Sequence, residues 1–447
     1  MDQTPKGNRL HIAIFGRTNV GKSSLLNLLV GQDIAITSPV AGTTTDVVEK
    51  AMELLPLGPV LILDTAGLDD TSALSELRID KTKKVFDRAD VAVLVAEPGT
   101  WTDFEESVVD EAKMRRLPLL VAVNKIDRKK PSDSFLEKIR GKAGHVIALT
   151  CKDPLKREEY MEALKGLMIR LAPEDFFRTP SLLAGLLPAG GLAVLVVPID
   201  LEAPKGRLIL PQVQTIRDAL DGDAMCLIVK ERELTAALNG LKRPPDLVIT
   251  DSQAILQVSA DVPAEIALTT FSILMARQKG DLVLQAEGAA VIETLRPGDR
   301  VLVAEACSHH ALEDDIGRVK IPRWLRQYVG GDLEIEIFAG RDYPENVSDF
   351  KLIIHCGGCM LNRREMLNRL RKAREAGVPV TNYGVAISFL QGAIRRTLAP
   401  FPEALTAYER KAGLSPTPLP SEQGSPTRRE PPSGKARRRS PQTRSAR

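Results

Sequence analysis

Two short clusters hold most of the soft-metal chemistry this chain could do. Cys307-Ser308-His309 and His355-Cys356-Gly357-Gly358-Cys359 contain three of the five cysteines and, with His310, three of the five histidines. Thiolate sulfur and imidazole nitrogen are ligands for soft or borderline metals. Cys356 and Cys359 form a Cys-x-x-Cys pair, and the two glycines between them let backbone amides turn toward the sulfurs. Three thiolates can hold three corners of an iron–sulfur cubane and leave one iron for an exchangeable ligand. The same ligand types suit a structural zinc with three Cys and one His, or buried thiols that bind nothing, and ligand chemistry alone leaves these open.

A second stretch is built for phosphate. Gly16-Arg17-Thr18-Asn19-Val20-Gly21-Lys22-Ser23 matches G-x-x-x-x-G-K-[ST]. It follows an apolar run at Leu10 to Phe15 and precedes a helical pattern through Leu25, Leu26, Leu28 and Leu29. Strand, glycine loop and helix together curl backbone N–H groups around phosphate oxygens, with Gly16, Val20, Gly21 and Ser24 in the cradle. Lys22 is placed to reach the β- and γ-phosphates and the Ser23 hydroxyl to bind Mg²⁺. Downstream, a strand at Val60 to Leu63 ends in Asp64-Thr65-Ala66-Gly67. There Asp64 can hold Mg²⁺ through water and the Gly67 amide can meet a γ-phosphate. Thr44, in the polar loop Gly42 to Asp46, can complete the Mg²⁺ shell only while that phosphate is present. Asn124-Lys125-Ile126-Asp127 follows the strand Leu119 to Val123, and a carboxylate at Asp127 can accept from N1 and N2 of guanine. Adenine lacks that donor edge, so the base is guanine and the nucleotide GTP.

The elements that position these residues read as α/β: an N-terminal P-loop GTPase domain followed by two smaller α/β domains with mainly parallel sheets. A chain of 447 residues exceeds one ordinary core. The expected division is 1–172 for the GTPase, 178–264 for a middle domain suited to self-association, 265–405 for the cysteine-bearing domain and 406–447 for a disordered basic tail. In the third domain, strands are predicted at Arg300 to Glu305, Leu333 to Phe338, Leu352 to Ile354 and from Val378. Both halves of the cysteine set then fall at carboxyl ends of strands, where open parallel sheets gather ligands. The middle domain shows no catalytic constellation, and Cys226 reads as core packing. Thr179 to Ile199 carries no charge, but Pro188, Gly190 and Gly191 interrupt it, so a loop and buried strand are expected rather than a membrane span. Few, clustered cysteines and the absence of a signal-peptide pattern point to a reducing, cytoplasmic setting. The net charge of +3 is uneven: from Ala412 onward eight Lys or Arg face two Glu, a tail of +6 on a body of −3. Its run Lys435 to Arg439 could touch nucleic acid, but a solubilising role is the simpler reading.

Together the nucleotide motifs resemble a translation-factor-type GTPase of the tRNA-modification and Era-like branch. That resemblance implies a potassium ion at Asn19, and slow, potassium-activated hydrolysis, because the position of the water-orienting Gln of Ras-like GTPases is apolar, Leu68. Two positions depart from the branch: Thr45 stands where an Arg is expected, and Thr150-Cys151-Lys152 replaces the Ser-Ala-Lys loop under the base, with Cys151 a small packing residue and no redox centre. Such a GTPase followed by a small middle domain, Cys-x-His and His-Cys-x-x-Cys resembles the HydF family of FeFe-hydrogenase maturation GTPases, over about residues 8–400. The resemblance implies that Cys307, Cys356 and Cys359 ligate a 4Fe–4S cluster, with His309 or His355 at the open iron. It further implies a homodimeric scaffold that receives a two-iron precursor made with radical-SAM maturases and passes it to apo FeFe-hydrogenase. The GTPase and the cluster are not expected to share atoms. One alternative is a potassium-dependent GTPase acting on RNA with a structural zinc, but aromatics are scarce for base stacking and no RNA-binding signature follows. Another is direct redox chemistry at the cluster, against which no radical-SAM cysteine run is present.

Overall fold

The computed structural model describes residues 4–30, 48–65, 75–177, 180–198, 208–306, 315–340, 343–344 and 346–417. Thr44, Gly67, Cys307 and His309 lie outside the described residues.

The first unit is a six-stranded sheet in the order β2-β3-β1-β4-β5-β6, parallel except for β2. Its strands are β1 (Leu10–Phe15), β2 (Val48–Leu54), β3 (Gly58–Asp64), β4 (Val91–Ala96), β5 (Leu119–Val123) and β6 (His145–Ala148). Every residue of β1, β4 and β5 is buried, as unbroken apolar runs covered on both faces require. The covering helices are α1 (Lys22–Val30), α2 (Ser75–Arg88), α3 (Asp103–Met114), α4 (Asp133–Ala143) and α5 (Arg157–Leu171), with a short α6 (Glu174–Phe177) after them. Glu105 closes a capping box on Thr102, fixing the start of α3.

The middle sheet runs β10-β9-β7-β8, from β7 (Leu192–Val196), β8 (Met225–Val229), β9 (Leu247–Thr250) and β10 (Ala267–Thr270), all parallel. Helices α7 (Leu210–Asp221), α8 (Leu234–Gly240) and α9 (Ile255–Asp261) connect them. The expected boundary at 264/265 is therefore misplaced, because β10 pairs with β9 beyond it; four residues ending Thr-Thr give too little apolar signal to mark a strand. Residues 180–191 form turns before β7, and among the described residues no helix is long and apolar enough to cross a membrane.

The third sheet runs β12-β11-β13-β14, from β11 (Arg300–Ala304), β12 (Glu334–Phe338), β13 (Leu352–His355) and β14 (Val380–Asn382), again parallel. Its helices, after α10 (Phe271–Lys279), are α11 (Leu282–Ala289), α12 (Ile321–Val329), α13 (Arg363–Glu375), α14 (Tyr383–Leu390), α15 (Ile394–Leu398) and α16 (Pro402–Lys411). The start of the expected tail is also corrected: α16 crosses residue 406, and Thr417 still bonds to Glu409. The last two sheets share one hydrophobic core from Leu182 to Tyr408. Seven residues of α14 and most of α10 are buried, and helices apolar on all sides must lie between layers rather than on a surface.

Candidate functional site

The P-loop joins β1 to α1, and its geometry depends on special backbone. Asn19 adopts φ 61°, a left-handed conformation Asn tolerates, and its side chain is exposed. Gly21 has φ 103°, and a Cβ there would lie 2.2 Å from Asn124 Nδ2. Lys22 is buried under the loop, with Nζ donating to the carbonyls of Gly16 and Arg17 (3.1 Å for the latter). Ser23 and Ser24 open α1. Asp64 ends β3 buried, 4.0 Å from Lys50 Nζ, beside Thr65, whose hydroxyl donates to Ile14 O at 2.6 Å.

The base-reading loop is tied to the phosphate loop directly. Asn124 Nδ2 donates to Val20 O at 3.1 Å, and Lys125 Nζ donates to Asn19 O at 2.5 Å and pairs with Glu97. Asp127 stays exposed and accepts from Thr150 Oγ1 at 2.6 Å; that hydrogen bond holds its carboxyl below the usual range. Lys152 N donates to Thr150 Oγ1 at 3.2 Å. Cys151 packs on the GTPase core, and burial pushes its thiol up to about 11, as suits a packing residue. The structure thus gathers Gly16 to Ser24, Asp64, Asn124 to Asp127 and Thr150 to Lys152 at the carboxyl edge of one sheet.

The cysteine loop stands at the carboxyl edge of the third sheet. Ala304 of β11 pairs with His355 of β13, so the residues leaving both strands are neighbours. Cys356 Sγ accepts from Ala306 N at 3.1 Å and from Gly358 N at 3.4 Å. Ala306, the residue before Cys307 in the sequence, is thus in contact with the second half of the cysteine set. Two amides aimed at one sulfur stabilise negative charge on it, which fits a thiolate ligand; of the glycine pair, Gly358 supplies one of them. Among the described residues no three His, Cys, Asp or Glu side chains converge as a metal group, the third thiol, Cys307, lying outside them.

His355 is not arranged as a ligand. It is 1% exposed, its Nδ1 donates to Cys356 O at 2.8 Å, and its Nε2 faces Arg369 Nη1 at 3.2 Å. A carbonyl can only accept, so the proton sits on Nδ1 and the Nε2 lone pair is committed to the guanidinium. Burial, then Arg369, push its pKa down to about 3. Strand alternation explains the departure from expectation: His355 shares the α13 face of β13 with Ile353, while the chain beyond it carries the sulfur.

Sequence reasoning missed Lys279. It ends α10 buried, and Nζ donates to the carbonyls of Gly358 (3.4 Å), Cys359 (3.0 Å) and Leu361 (2.8 Å). Burial lowers its pKa to about 8, opposed by the two thiols. Burial likewise raises the Cys359 thiol, with Lys279 pulling it back. Its place in the basic last turn of α10, beside Arg277, gave no signal for this role.

The interface between the first and third units contains a second perturbed acid. Asp90 accepts from His11 N at 2.9 Å and from Asn362 Nδ2, and burial raises its carboxyl from 3.8 to about 6. Between those values the folded chain keeps a proton that the unfolded chain has released, so stability falls as pH rises from about 4 to 6 and is level beyond. The expected contribution is at most about 3 kcal/mol, since one edge of the residue meets solvent. In thermal melts across that range, Asp90→Asn should flatten the slope; an unchanged slope would show that another group titrates.

Fold and site together define a P-loop GTPase that carries two fused parallel sheets and a cysteine loop at the edge of the last. Residues 182–280 match the hydrogen maturase F dimerization domain, residues 283–400 the hydrogen maturase F tetramerization domain, and residues 11–125 the 50S ribosome-binding GTPase domain. The chain belongs to the hydrogen maturase F family. Its curated relatives include the tRNA modification GTPase MnmE of Bordetella parapertussis, 40% identical over 119 residues, 26% of each chain. MnmE of Dechloromonas aromatica is 32% identical over 173 residues, 38% of this chain and 37% of its own. The chain thus spans about a quarter to a third of the relatives it matches. Among solved structures, Aquifex aeolicus Era is 17% identical, covering 76% of this chain and 97% of its own with a TM-score of 0.30.

Proposed function

We propose that the protein is a GTP-hydrolysing scaffold that holds a 4Fe–4S cluster and delivers a two-iron precursor to apo FeFe-hydrogenase. The observation that carries this reading is the pair of backbone amides on Cys356 Sγ at the junction of β11 and β13, in a chain of this family. Cys307, Cys356 and Cys359 are the thiolates that would hold the cluster, which would supply one iron with an exchangeable ligand for weak, releasable binding of the cargo. His309 remains a candidate at that iron. Lys279 keeps the loop in place from below. Lys22 and the loop amides bind phosphates; Ser23, Thr44 and Asp64 hold Mg²⁺; Gly67 meets the γ-phosphate; Asp127 selects guanine. Radical-SAM maturases are the expected source of the precursor and the cytoplasm the expected compartment. Exposed Val213 and Leu220 on α7, with Met225 and Ile228 on the edge strand β8, leave apolar surface for pairing two copies. The RNA-acting alternative with a zinc site draws on tRNA-modification relatives that match 26% and 38% of this chain.

The test is in vitro activation of apo-hydrogenase beside GTP hydrolysis. Cys356→Ser should hydrolyse GTP like the parent and activate no hydrogenase; activation at the parental level would end the scaffold reading. Hydrolysis should also be several-fold faster in potassium than in sodium, and Asn19→Ala should bring the two rates together. Equal rates in the parent would remove potassium from the mechanism.

A further inference from the structure

A line of buried charge runs from the GTPase to the cysteine loop. Glu49 of β2, 7% exposed, pairs with Lys6 Nζ at 2.9 Å and with Arg88 Nη2 at 2.5 Å. Arg88, the last residue of α2, places Nε 3.7 Å from Glu365 Oε2. Glu365 Oε1 accepts from Arg369 Nη2 at 3.2 Å, and Arg369 Nη1 meets His355, whose ring bonds to the carbonyl of Cys356. The same elements are laced by further contacts. Asn362 N-caps α13 by accepting from Glu365 N, and it also donates to Arg88 O at 2.8 Å. Asn368 donates to Asp87 O at 2.7 Å, and Lys372 pairs with Asp87 at 2.6 Å. Gly7, just before β1, lies so close to the loop that a Cβ there would be 2.9 Å from Cys359 O and 2.5 Å from Leu361 O.

The GTPase ends of this line are well placed. β2 follows the threonine loop of residues 42–46, and α2 follows Asp64 to Gly67, the two segments whose contacts depend on the γ-phosphate in GTPases of this kind. A buried ion pair cannot be stretched open without stranding a charge, so its partners move as one body. We infer that the buried chain Glu49–Arg88–Glu365–Arg369–His355 transmits the nucleotide state of the GTPase to the Cys356–Cys359 loop. Displacement of β2 or α2 drags the N-terminal turn of α13, which begins four residues after Cys359, while Lys279 pins the loop carbonyls and acts as the pivot. Regulation of cluster holding by this route rests on the reading above; the mechanical link does not.

The test uses the full chain without cluster. Alkylation of Cys356 and Cys359 by N-ethylmaleimide is followed by peptide mass spectrometry with Mg²⁺–GDP and with a non-hydrolysable GTP analogue. The parent should show a change in labelling rate of at least about fivefold between nucleotides, the lower range of allosteric couplings. Glu365→Gln and Arg88→Gln should each abolish the difference while GTP hydrolysis persists, and the double variant should add nothing further. Glu49→Gln provides an independent break if either of the others fails to fold. Labelling indifferent to nucleotide in the parent, or a full nucleotide effect surviving in the variants, would overturn the link. Nucleotide-dependent labelling in a protein that takes up no cluster would sink the scaffold reading and leave the link standing.

Discussion

Asp127→Asn should turn this GTPase toward xanthosine triphosphate. The Asp127 carboxylate is exposed, ionised well below neutrality by the Thr150 hydroxyl, and free to accept from the N1 and N2 donors of guanine. Hydrogen bonds to a charged group contribute about 1.5–3 kcal/mol each, so losing the one to N2 should weaken GTP by about 10–10²-fold. Asn keeps one oxygen for N1–H and turns an N–H toward the position where xanthine carries a carbonyl, so the preference reverses instead of merely declining. Competition binding with the two nucleotides decides it. Retained GTP preference in the variant would mean that guanine is read elsewhere.

Gly21→Ala should nearly abolish nucleotide binding while leaving the fold intact. The residue holds φ 103°, where an L side chain is strained by about 1–3 kcal/mol. Its Cβ would also strike Asn124 Nδ2 at 2.2 Å. Asn124 must then release Val20 O, the bond that sets the phosphate loop against the base loop. Buried hydrogen bonds lost in this way cost about 1–3 kcal/mol, so together with the backbone strain affinity should fall by about 10²–10³-fold, with an unchanged circular dichroism spectrum. Near-parental affinity would mean that the two loops are not held together through this contact.

How far these features are legible in the sequence depends on whether chemistry or packing writes them. The P-loop, Asp64, Asn124 and Asp127 announce themselves because phosphate and guanine demand particular residues at fixed spacing. The neighbourhood of Ala306 and Cys356 follows from parallel strands ending together. Lys279 does not, since its role arises from three carbonyls contributed by a loop some eighty positions away. Nor does the line from Arg88 to Glu365, in which each residue alone is an ordinary charge on an amphipathic helix. Burial, not spacing, makes them partners. His355 misleads for the opposite reason: its type suggests a ligand, while strand alternation turns its ring toward Arg369. The shared core of the last two sheets was hidden because turns and short strands punctuate it as though it were two domains, although α14 is too apolar to face water on any side.

The most direct measurement is an anaerobic absorption and EPR spectrum of the iron- and sulfide-reconstituted protein beside Cys356→Ser. The account predicts a broad charge-transfer band and a reduced-state EPR signal in the parent, both lost in the variant while GTP hydrolysis remains. A colourless parent that retains one equivalent of zinc would contradict it.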